Sequence, residues 1–382
     1  MSAVPNTLSS LLSAKELAAV RAPLEQASFL PPRVYSDRRV YELEVERVFR
    51  RSWLPLCHVS QLDGTGAFVG REFFGAPVVA TRDANGDIHV LSNVCRHRNA
   101  LIAKGEGRCI NKRFICPYHG WTYGLDGALL AAPQMDQTAS FSRAEYGLPS
   151  VRHEIWQGFV FVNFDANAPA LGPQLKDLTP IAAPYRFDAM KAVPVRRAKV
   201  PWNWKVSLEN FTEAYHQPLV HPETELDIPS TRAVYHDSTG PWSYFRLPHA
   251  RGEKTHTIAP PVPGMPDSYY REFSVINVYP LLHMFIDSAT PLWLHWDIQA
   301  VGEHEMIWYM MVPKDNITPE NTEELKANFL GFNEPILLQD VDVCTRVGHG
   351  VQSPLAAPGR LSWMEKSVHQ FQNWLVDQLE RP

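Results

Sequence analysis

Two pairs of cysteine and histidine have the residue types and spacing of metal ligands. Cys95 and His97 form the first pair, and Cys116 and His119 form the second pair after eighteen intervening residues. Ligands from two such loops suit either a tetrahedral zinc ion or a [2Fe–2S] cluster, in which one iron takes both cysteines and the other both histidines. Structural zinc sites usually keep like ligands together, whereas here each loop offers one of each kind. This order favours the cluster, with zinc as the alternative.

A second group of potential ligands lies between Glu209 and His221. If this segment stays helical to about Gln217, a rotation of 100° per residue places one polar set on a single face: Glu209, Asn210, Glu213 and His216. Pro218 should then end the helix, which lets His221 turn back toward His216. Two imidazoles and one carboxylate on one side of a metal leave positions open for O₂. The alternative interpretation is an ordinary solvated helix face.

The third ligand of such a site should be a carboxylate in apolar surroundings, because a buried bare charge is strongly unfavourable without a cation. Asp340 meets this condition on a predicted helix over 333–347, where it lies in the middle of an apolar stripe. Asp342 points the other way and has Arg346 four residues later, which is an ordinary surface pair. The pattern therefore favours Asp340 as the carboxylate ligand over a helix-end or interface role.

The elements that must position these residues fall into two regions. From Trp53 to about Asp165 the pattern predicts antiparallel strands, with three hairpin turns at Asn85-Gly86, Asp126-Gly127 and Gln157-Gly158. The proline-rich stretch 166–200 is interpreted as a domain connection. The other expected elements are a helix over 37–51 capped by Ser36, a helix over 204–217, strands over 273–278, 292–300 and 306–312, a helical region from Thr318 to about Val347 with a break near Gly331, and a last helix over 363–379.

Composition limits the class of protein. A chain of 382 residues should contain two to three domains, and 45% apolar residues with 11% aromatics are typical of a soluble globular protein. No stretch of eighteen apolar residues and no secretory signal are apparent, so we expect no membrane association and a cytoplasmic location. The other cysteines, Cys57, Cys109 and Cys344, form no disulfide framework. A net charge of −5 gives no reason to expect nucleic acid.

Taken together, the motifs resemble those of the Rieske non-haem iron oxygenases. The resemblance rests on Cys95-Arg96-His97-Arg98, on Cys116-Pro117-Tyr118-His119-Gly120-Trp121, and on the histidine segment preceded by Trp202-Asn203-Trp204-Lys205. It implies an α+β fold, with an antiparallel β Rieske domain followed by a helix-grip catalytic domain, an antiparallel sheet with helices. The expected domains are an N-terminal helical segment packing on the catalytic domain (1–52), the Rieske [2Fe–2S] domain (53–165) and the catalytic mononuclear iron domain (166–382).

The resemblance also implies roles for individual residues. It assigns the [2Fe–2S] cluster to Cys95, His97, Cys116 and His119, and a mononuclear Fe(II) to His216, His221 and Asp340. Glu213 resembles the acid that bridges the two metal centres, a position where many branches of the family have aspartate. Asn210 is similar to a residue found near the iron.

The activity implied is that of a terminal oxygenase α subunit, which uses O₂ to oxidise a small organic substrate. Since the chain contains no GxGxxG after a strand, electrons should come from a separate NAD(P)H-dependent reductase, a ferredoxin or both. Monooxygenation or oxidative dealkylation is favoured over arene cis-dihydroxylation, and the chain length suggests a homotrimer without a β subunit. The alternative from a different class is a Rieske ferredoxin-like electron carrier, which would need no second metal site.

Overall fold

A computed structural model describes residues 7–252, 254 and 257–381. The chain divides into two compact units. One unit is Trp53–Ala168, and the other combines Met1–Ser52 with Pro169–Pro382. Residues 1–6 of the predicted N-terminal segment (1–52) and residue 382 of the predicted catalytic domain (166–382) lie outside the described residues.

The unit Trp53–Ala168 is built from short antiparallel strands, as predicted. They are β1 (Leu54–His58), β2 (Ala67–Phe73), β3 (Ala76–Arg82), β4 (Ile88–Ser92), β5 (Glu106–Arg108), β6 (Phe114–Ile115), β7 (Thr122–Tyr123), β8 (Leu129–Ala131), β9 (Arg152–Trp156) and β10 (Phe159–Asn163). Three sheets result, in the orders β4-β3-β2-β5, β1-β10-β9 and β6-β7-β8. The three predicted turns each join two paired strands, and Gly86, Gly127 and Gly158 take the positive φ that these turns require.

The other unit contains one seven-stranded antiparallel sheet in the order β11-β17-β16-β15-β14-β13-β12. Its strands are β11 (Met190–Val200), β12 (Val234–Tyr235), β13 (Trp242–Pro248), β14 (Glu272–Val278), β15 (Leu282–Ile286), β16 (Leu292–Ala300) and β17 (Glu303–Pro313). The predicted connection over 166–200 is wrong at its end, because Met190–Val200 forms an edge strand. Pro194 lies where the register of β11 shifts, and an edge strand with a bulge tolerates the missing N–H.

The α-helices all belong to this larger unit. They are α1 (Ala14–Arg21), α2 (Arg33–Ser36), α3 (Arg38–Glu44), α4 (Leu171–Gln174), α5 (Thr179–Ala182), α6 (Trp204–Phe211), α7 (Gln217–Val220), α8 (Pro222–Glu225), α9 (Thr322–Gly350) and α10 (Lys366–Glu380). Among the described residues, no helix combines the length and the apolar character needed to cross a membrane.

Two predicted helices differ from the observed ones at identifiable residues. The cap of α3 is Asp37, whose carboxylate accepts the N–H of Arg39 at 2.8 Å, whereas Ser36 ends the preceding helix. The predicted break near Gly331 is absent, and α9 continues for 29 residues through Pro335. Pro335 cannot donate the hydrogen bond that the carbonyl of Gly331 would accept, yet the helix continues past both residues. Thr318 lies in the turn before α9, where its N–H donates to the side chain of Asn321.

The helix α6 is anchored by a buried ion pair. Lys205 Nζ lies 2.5 Å from Glu44 Oε1, and both side chains are fully buried. The indole N–H of Trp204 donates to the other oxygen of Glu44 at 2.9 Å. Breaking such a buried pair by removing one partner leaves an uncompensated charge. The segment before residue 52 therefore fixes α6 against the rest of this unit.

Helices α6 and α9 approach each other where Gly348 faces the start of α6. A Cβ atom built on Gly348 would overlap the Cβ of Trp202, a buried side chain whose indole N–H donates to Ser207 at 2.8 Å. The missing side chain of Gly348 thus permits the close approach of the two helices.

We predict that Gly348→Ala destabilises the protein by about 1–3 kcal/mol, because the added methyl group must push α9 away from Trp202. Gly350→Ala is the matched control, since a Cβ at that helical position meets no atom within 4 Å. The control should leave stability equal or slightly raised. Thermal unfolding followed by circular dichroism measures both variants, and equal melting temperatures would contradict the packing argument.

Candidate metal centres

The two loops with the Cys-His pairs close in the same way. The carbonyl of Cys95 accepts the N–H of Asn99 at 3.0 Å, and the carbonyl of Cys116 accepts the N–H of Gly120 at 3.1 Å. Asn99 and Gly120 both have positive φ, a conformation that glycine adopts freely and asparagine tolerates best among the other residues. Each loop therefore turns tightly just after its pair of candidate ligands.

The structure brings the four predicted residues together in two layers. Cys95 and Cys116 are buried and their side chains contact each other, whereas His97 and His119 are exposed with ring centroids 4.6 Å apart. This separation into a thiol layer and an imidazole layer matches a cluster with one iron held by sulfur and the other by nitrogen. Desolvation of the His97 ring, which stacks on Trp121, lowers its pKa together with the nearby His119 and Arg98. A lowered pKa favours the neutral imidazole that binds metals.

Tyr123 adds a hydrogen bond to this layer of sulfur atoms. Its hydroxyl oxygen lies 3.3 Å from Cys95 Sγ and accepts the backbone N–H of Arg96 at 3.0 Å. The tyrosine is fully buried, and burial followed by the contact with Cys95 raises its pKa. The phenol therefore keeps its proton, and it would donate a hydrogen bond to Cys95 when that residue is a thiolate ligand.

The second candidate centre lies after α6 and not along it. The predicted helix over 204–217 is wrong, because α6 ends at Phe211 and residues 212–216 form a turn. The carboxylate of Glu213 accepts the backbone N–H groups of Tyr215 and His216 within this turn. Pro218 lies in the first turn of α7, where its missing N–H costs nothing. A new short helix therefore starts at the proline that was expected to end the old one.

The predicted ligands nevertheless converge. The Nε2 atoms of His216 and His221 lie 3.4 and 3.0 Å from Asp340 Oδ1, and the ligand atoms of the three residues are all within 4.8 Å of one another. Among the described residues, this is the one group of three such side chains compact enough for a single ion. Asp342 is exposed and pairs with Arg346 at 2.8 Å, as predicted.

Hydrogen bonds orient each of these three side chains. Glu213 Oε1 accepts the Nδ1–H of His216 at 2.5 Å, which leaves Nε2 of that ring directed toward Asp340. Gln339 Oε1 accepts the Nδ1–H of His221 at 2.7 Å. The side-chain amide of Asn210 donates to Asp340 Oδ1 at 2.9 Å. Such partners fix the tautomer and orientation of metal-binding histidines. Gln339 was missed in the sequence, where its one signal is its place beside Asp340.

The electrostatics of the group favour a cation. Burial by itself would lower the pKa of His216, but the carboxylates of Glu213 and Asp340 outweigh it and raise this pKa to about 10. Burial would raise the pKa of Asp340, and the hydrogen bonds from His216 and His221 hold it at about 2. The site thus stabilises a positive charge between two imidazoles and a buried carboxylate, which is the chemistry that a divalent metal ion requires.

Family models match both units of the chain. The Rieske [2Fe–2S] domain model matches residues 52–142, and the model of the ring-hydroxylating α subunit catalytic domain matches residues 187–381. These two matches include all seven predicted metal ligands.

Curated relatives include both monooxygenases and dioxygenases. The chain is 34% identical over 222 residues to the carnitine monooxygenase oxygenase subunit of Escherichia coli K12, a match that covers 57% of this chain and 59% of that subunit. It is 36% identical over 203 residues to the α subunit of biphenyl 2,3-dioxygenase from Rhodococcus jostii RHA1, covering 50% of this chain and 43% of the relative. The matched region therefore spans well under two thirds of either relative.

Solved structures share the fold over nearly the whole chain. A quaternary ammonium Rieske monooxygenase in complex with an inhibitor superposes with a TM-score of 0.82 at 21% identity, covering 95% of this chain and 98% of that one. Naphthalene 1,2-dioxygenase from Rhodococcus sp. bound to indole gives a TM-score of 0.80 at 20% identity, covering 96% and 98%. The expected α+β fold is thereby confirmed. With a Rieske domain and a ring-hydroxylating catalytic domain in one polypeptide, the chain belongs to the family of Rieske non-haem iron oxygenase α subunits.

Proposed function

We propose that this protein is the terminal oxygenase of a Rieske system and oxidises a small organic substrate with O₂. The observation that carries the proposal is the convergence of His216, His221 and Asp340 in the same chain as the two Cys-His loops. A pure electron carrier would need the loops alone. The ranges 53–165 and 166–382 are proposed as the Rieske and catalytic domains, with 1–52 as a helical segment of the catalytic part.

The proposed ligands are Cys95, His97, Cys116 and His119 for the [2Fe–2S] cluster, and His216, His221 and Asp340 for one Fe(II). When bound, the iron would supply binding and activation of O₂, with electrons received through the cluster. The protein's own contribution is orientation, because Glu213 and Gln339 hold the two imidazoles with Nε2 directed toward Asp340. Asn210 holds the carboxylate from the side of α6.

Electron entry is proposed at the basic surface around the Cys-His loops. Between Cys95 and His119 the one acid is Glu106, and six basic side chains are exposed: Arg96, Arg98, Lys104, Arg108, Lys112 and Arg113. Opposite charges steer association and raise the on-rate at low salt. A separate reductase or ferredoxin with an acidic docking face suits this surface.

The reaction type proposed is monooxygenation, including oxidative dealkylation. Glu213 is proposed to occupy the bridge position, where many branches of the family have aspartate. A glutamate at this position is similar to the branch members that act on quaternary ammonium and N-methyl compounds. The carnitine and glycine betaine monooxygenase subunits among the relatives support this choice. Arene cis-dihydroxylation is the second candidate, supported by the biphenyl dioxygenase relative. A screen for substrate-triggered O₂ uptake, followed by mass spectrometry of the product, distinguishes one inserted oxygen atom from two. Uptake by no compound in either class would contradict the proposal.

Glu213 is also proposed to couple the two metal centres across a subunit boundary in a homotrimer. In the family, a ring of subunits brings the cluster of one chain beside the iron of its neighbour. Here the Glu213 side chain is 9% exposed and already bonds His216, while the rings of Tyr118 and His119 on the cluster loops are exposed. A carboxylate between two imidazoles can accept a hydrogen bond from each.

Asp340→Ala should remove the mononuclear iron and leave the visible absorption of the cluster unchanged, because Asp340 supplies the one carboxylate of the proposed site. Asp342→Ala is the matched control two residues away and should keep both metal centres. Iron analysis per chain, together with the absorption spectrum, measures both variants. If Asp342→Ala were the variant that lost iron, the ligand assignment would be wrong.

Tyr123→Phe should lower the reduction potential of the cluster by an amount on the order of tens of millivolts. In the wild type, the hydrogen bond to Cys95 stabilises the reduced cluster, which is more negative, more than the oxidised cluster, and this variant loses that bond. Tyr118→Phe serves as the control, since that hydroxyl bonds Arg98 at 3.1 Å on the exposed side of the loop. Potentiometric titration of both variants decides, and an unchanged potential in Tyr123→Phe would mean that the phenol does not bond the ligand sulfur.

Glu213→Gln should retain both metals and the oligomeric size but lose roughly ten- to a hundredfold in turnover, the range typical of residues that orient metal ligands. Glu223→Gln, an exposed position in α8, should retain full turnover. Single-turnover kinetics of the reduced protein with O₂ test the step involved. Normal cluster oxidation in Glu213→Gln would refute the coupling role of Glu213. A fully active monomer would refute the proposal that this coupling crosses a subunit boundary.

A further inference from the structure

A cavity of about 290 Å³ lies in the larger unit, and none of the proposed metal ligands lines it. Its walls come from the segment before α3, from α6, from α9 and from the residues around the start of α10. Most of the described lining side chains are apolar, none is basic, and three are carboxylates: Glu209, Glu213 and Glu365. A cavity of this volume suits a small organic molecule. Acidic groups between apolar walls suit a molecule that carries a positive charge.

Glu365 brings an unpaired oxygen to this cavity. The residue is 8% exposed, and Oε2 of its carboxylate accepts the backbone N–H of Ser362 at 2.6 Å. The other oxygen, Oε1, has no hydrogen-bond partner among the described residues, and the side chain lines the cavity. A buried carboxylate oxygen without a donor is costly. A ligand with an N–H group would remove this cost.

Glu209 offers a second acceptor on the same cavity. Its Oε1 accepts the hydroxyl of Tyr35 at 2.8 Å and the amide of Gln372 at 2.7 Å, whereas Oε2 is near the same hydroxyl alone, at 2.9 Å. Because the phenol has one proton to share, Oε2 can accept a further hydrogen bond. Lys205, the cation that acts on Glu209, is already paired with Glu44. The charge of Glu209 is therefore only partly compensated.

The carboxylates around the cavity disfavour one another's charge. Burial raises the pKa of Glu365 to about 7, and the charges of Glu213 and Glu209 add to this rise. The hydrogen bond from Ser362 and the charge of His216 oppose it. A cation bound between these groups would stabilise their ionised forms.

The spacing of the carboxylates excludes a shared metal ion. Among the described residues, the one group of three potential ligand side chains within 4.8 Å of one another is that of His216, His221 and Asp340. Glu209, Glu213 and Glu365 are thus too far apart to hold one ion together. An organic ammonium ion has N–H groups that point in different directions, and its alkyl part can cover the apolar walls.

We propose that this cavity binds a primary alkylammonium ion, whose N–H groups donate to Glu365 and Glu209 and whose alkyl chain packs on Leu30, Val206 and Val347. A quaternary ammonium ion fits less well, because it has no N–H group for Oε1 of Glu365. The site is separate from the proposed iron site and does not depend on the proposed oxygenase function. Since Glu213 also lines the cavity, the ligand would lie beside the side chain that orients His216.

The test uses three probes with the same pentyl chain: pentylammonium, pentyltrimethylammonium and pentan-1-ol. Titration calorimetry measures their affinities for the purified protein with its metal centres at pH 8. The wild type should bind pentylammonium roughly tenfold more tightly than either of the other two, because only this probe combines a positive charge with N–H donors.

Two variants place the bound probe in this cavity. Glu365→Gln keeps an acceptor for Ser362 but removes the charge, and it should weaken pentylammonium binding roughly tenfold or more. Val347→Trp, at a half-exposed position of α9 that lines the cavity, should fill the space and abolish binding of all three probes. Glu324→Gln is the matched control at an exposed position of the same helix and should bind like the wild type.

The affinity for pentylammonium should also rise about tenfold from pH 6 to pH 8. Glu365 and Glu209 both have a pKa of about 7, so they are mostly protonated at pH 6 and mostly ionised at pH 8, whereas the probe keeps its charge throughout. The rise should be smaller in Glu365→Gln. The affinity for pentan-1-ol should not change with pH.

No binding of pentylammonium, equal affinities for pentylammonium and pentan-1-ol, or equally tight binding of pentyltrimethylammonium would overturn the assignment. Binding that survives in Val347→Trp would do the same, because it would place the probe elsewhere in the protein. Circular dichroism checks that each variant is folded, and Val347→Trp decides the question if Glu365→Gln does not fold. Iron content is measured on the same samples, so a missing mononuclear iron would refute the proposed function and leave this test intact.

Discussion

The larger unit, which contains the second candidate metal centre, depends on one buried carboxylate. Asp340 lies in the middle of α9, where burial disfavours its charge, and hydrogen bonds from His216 and His221 hold its pKa at about 2. A bare carboxylate in such surroundings costs several kcal/mol, so the fold must keep the two histidines within reach of it. His216 lies in the turn after α6 and His221 lies between α7 and α8, which is why the distance between α6 and α9 decides whether the group can form. Gly348, facing Trp202 without a side chain, allows that distance.

The position of α6 is in turn fixed by contacts far apart in the sequence. Its first turn is held by the buried pair of Lys205 with Glu44, and its last turn by Glu209, which accepts hydrogen bonds from Tyr35 at 2.8 Å and Gln372 at 2.7 Å. Burial raises the pKa of Glu209 to about 7, and these two donors oppose the rise. Segments from both ends of the chain thus hold the helix that leads into the metal-ligand turn. The geometry of the group formed by His216, His221 and Asp340 therefore depends on residues outside that group.

Much of the site could be predicted because its signals are local. The Cys-His pairs and the three turns with Gly86, Gly127 and Gly158 are short-range features, and Asp340 was identified from its own helix. Errors arose where tertiary context prevails over local pattern. Met190–Val200 pairs with β17, more than a hundred residues away, whereas the local prolines, Pro194 among them, predict a linker. Periodicity predicts a helix over 204–217 that is too long, because it does not reveal that the Glu213 carboxylate accepts the N–H groups of the turn. Gln339 and the Glu44–Lys205 pair depend on contacts that one sequence does not encode visibly.

We propose that two donor sets in this chain hold two different iron sites. The most direct measurement is a crystal structure of the purified protein with anomalous diffraction data collected at the iron and zinc absorption edges. We expect a pair of iron peaks between the loops of Cys95 and Cys116, and one separate iron peak bounded by His216, His221 and Asp340. A single zinc peak between the loops, or no iron beside Asp340, would contradict it.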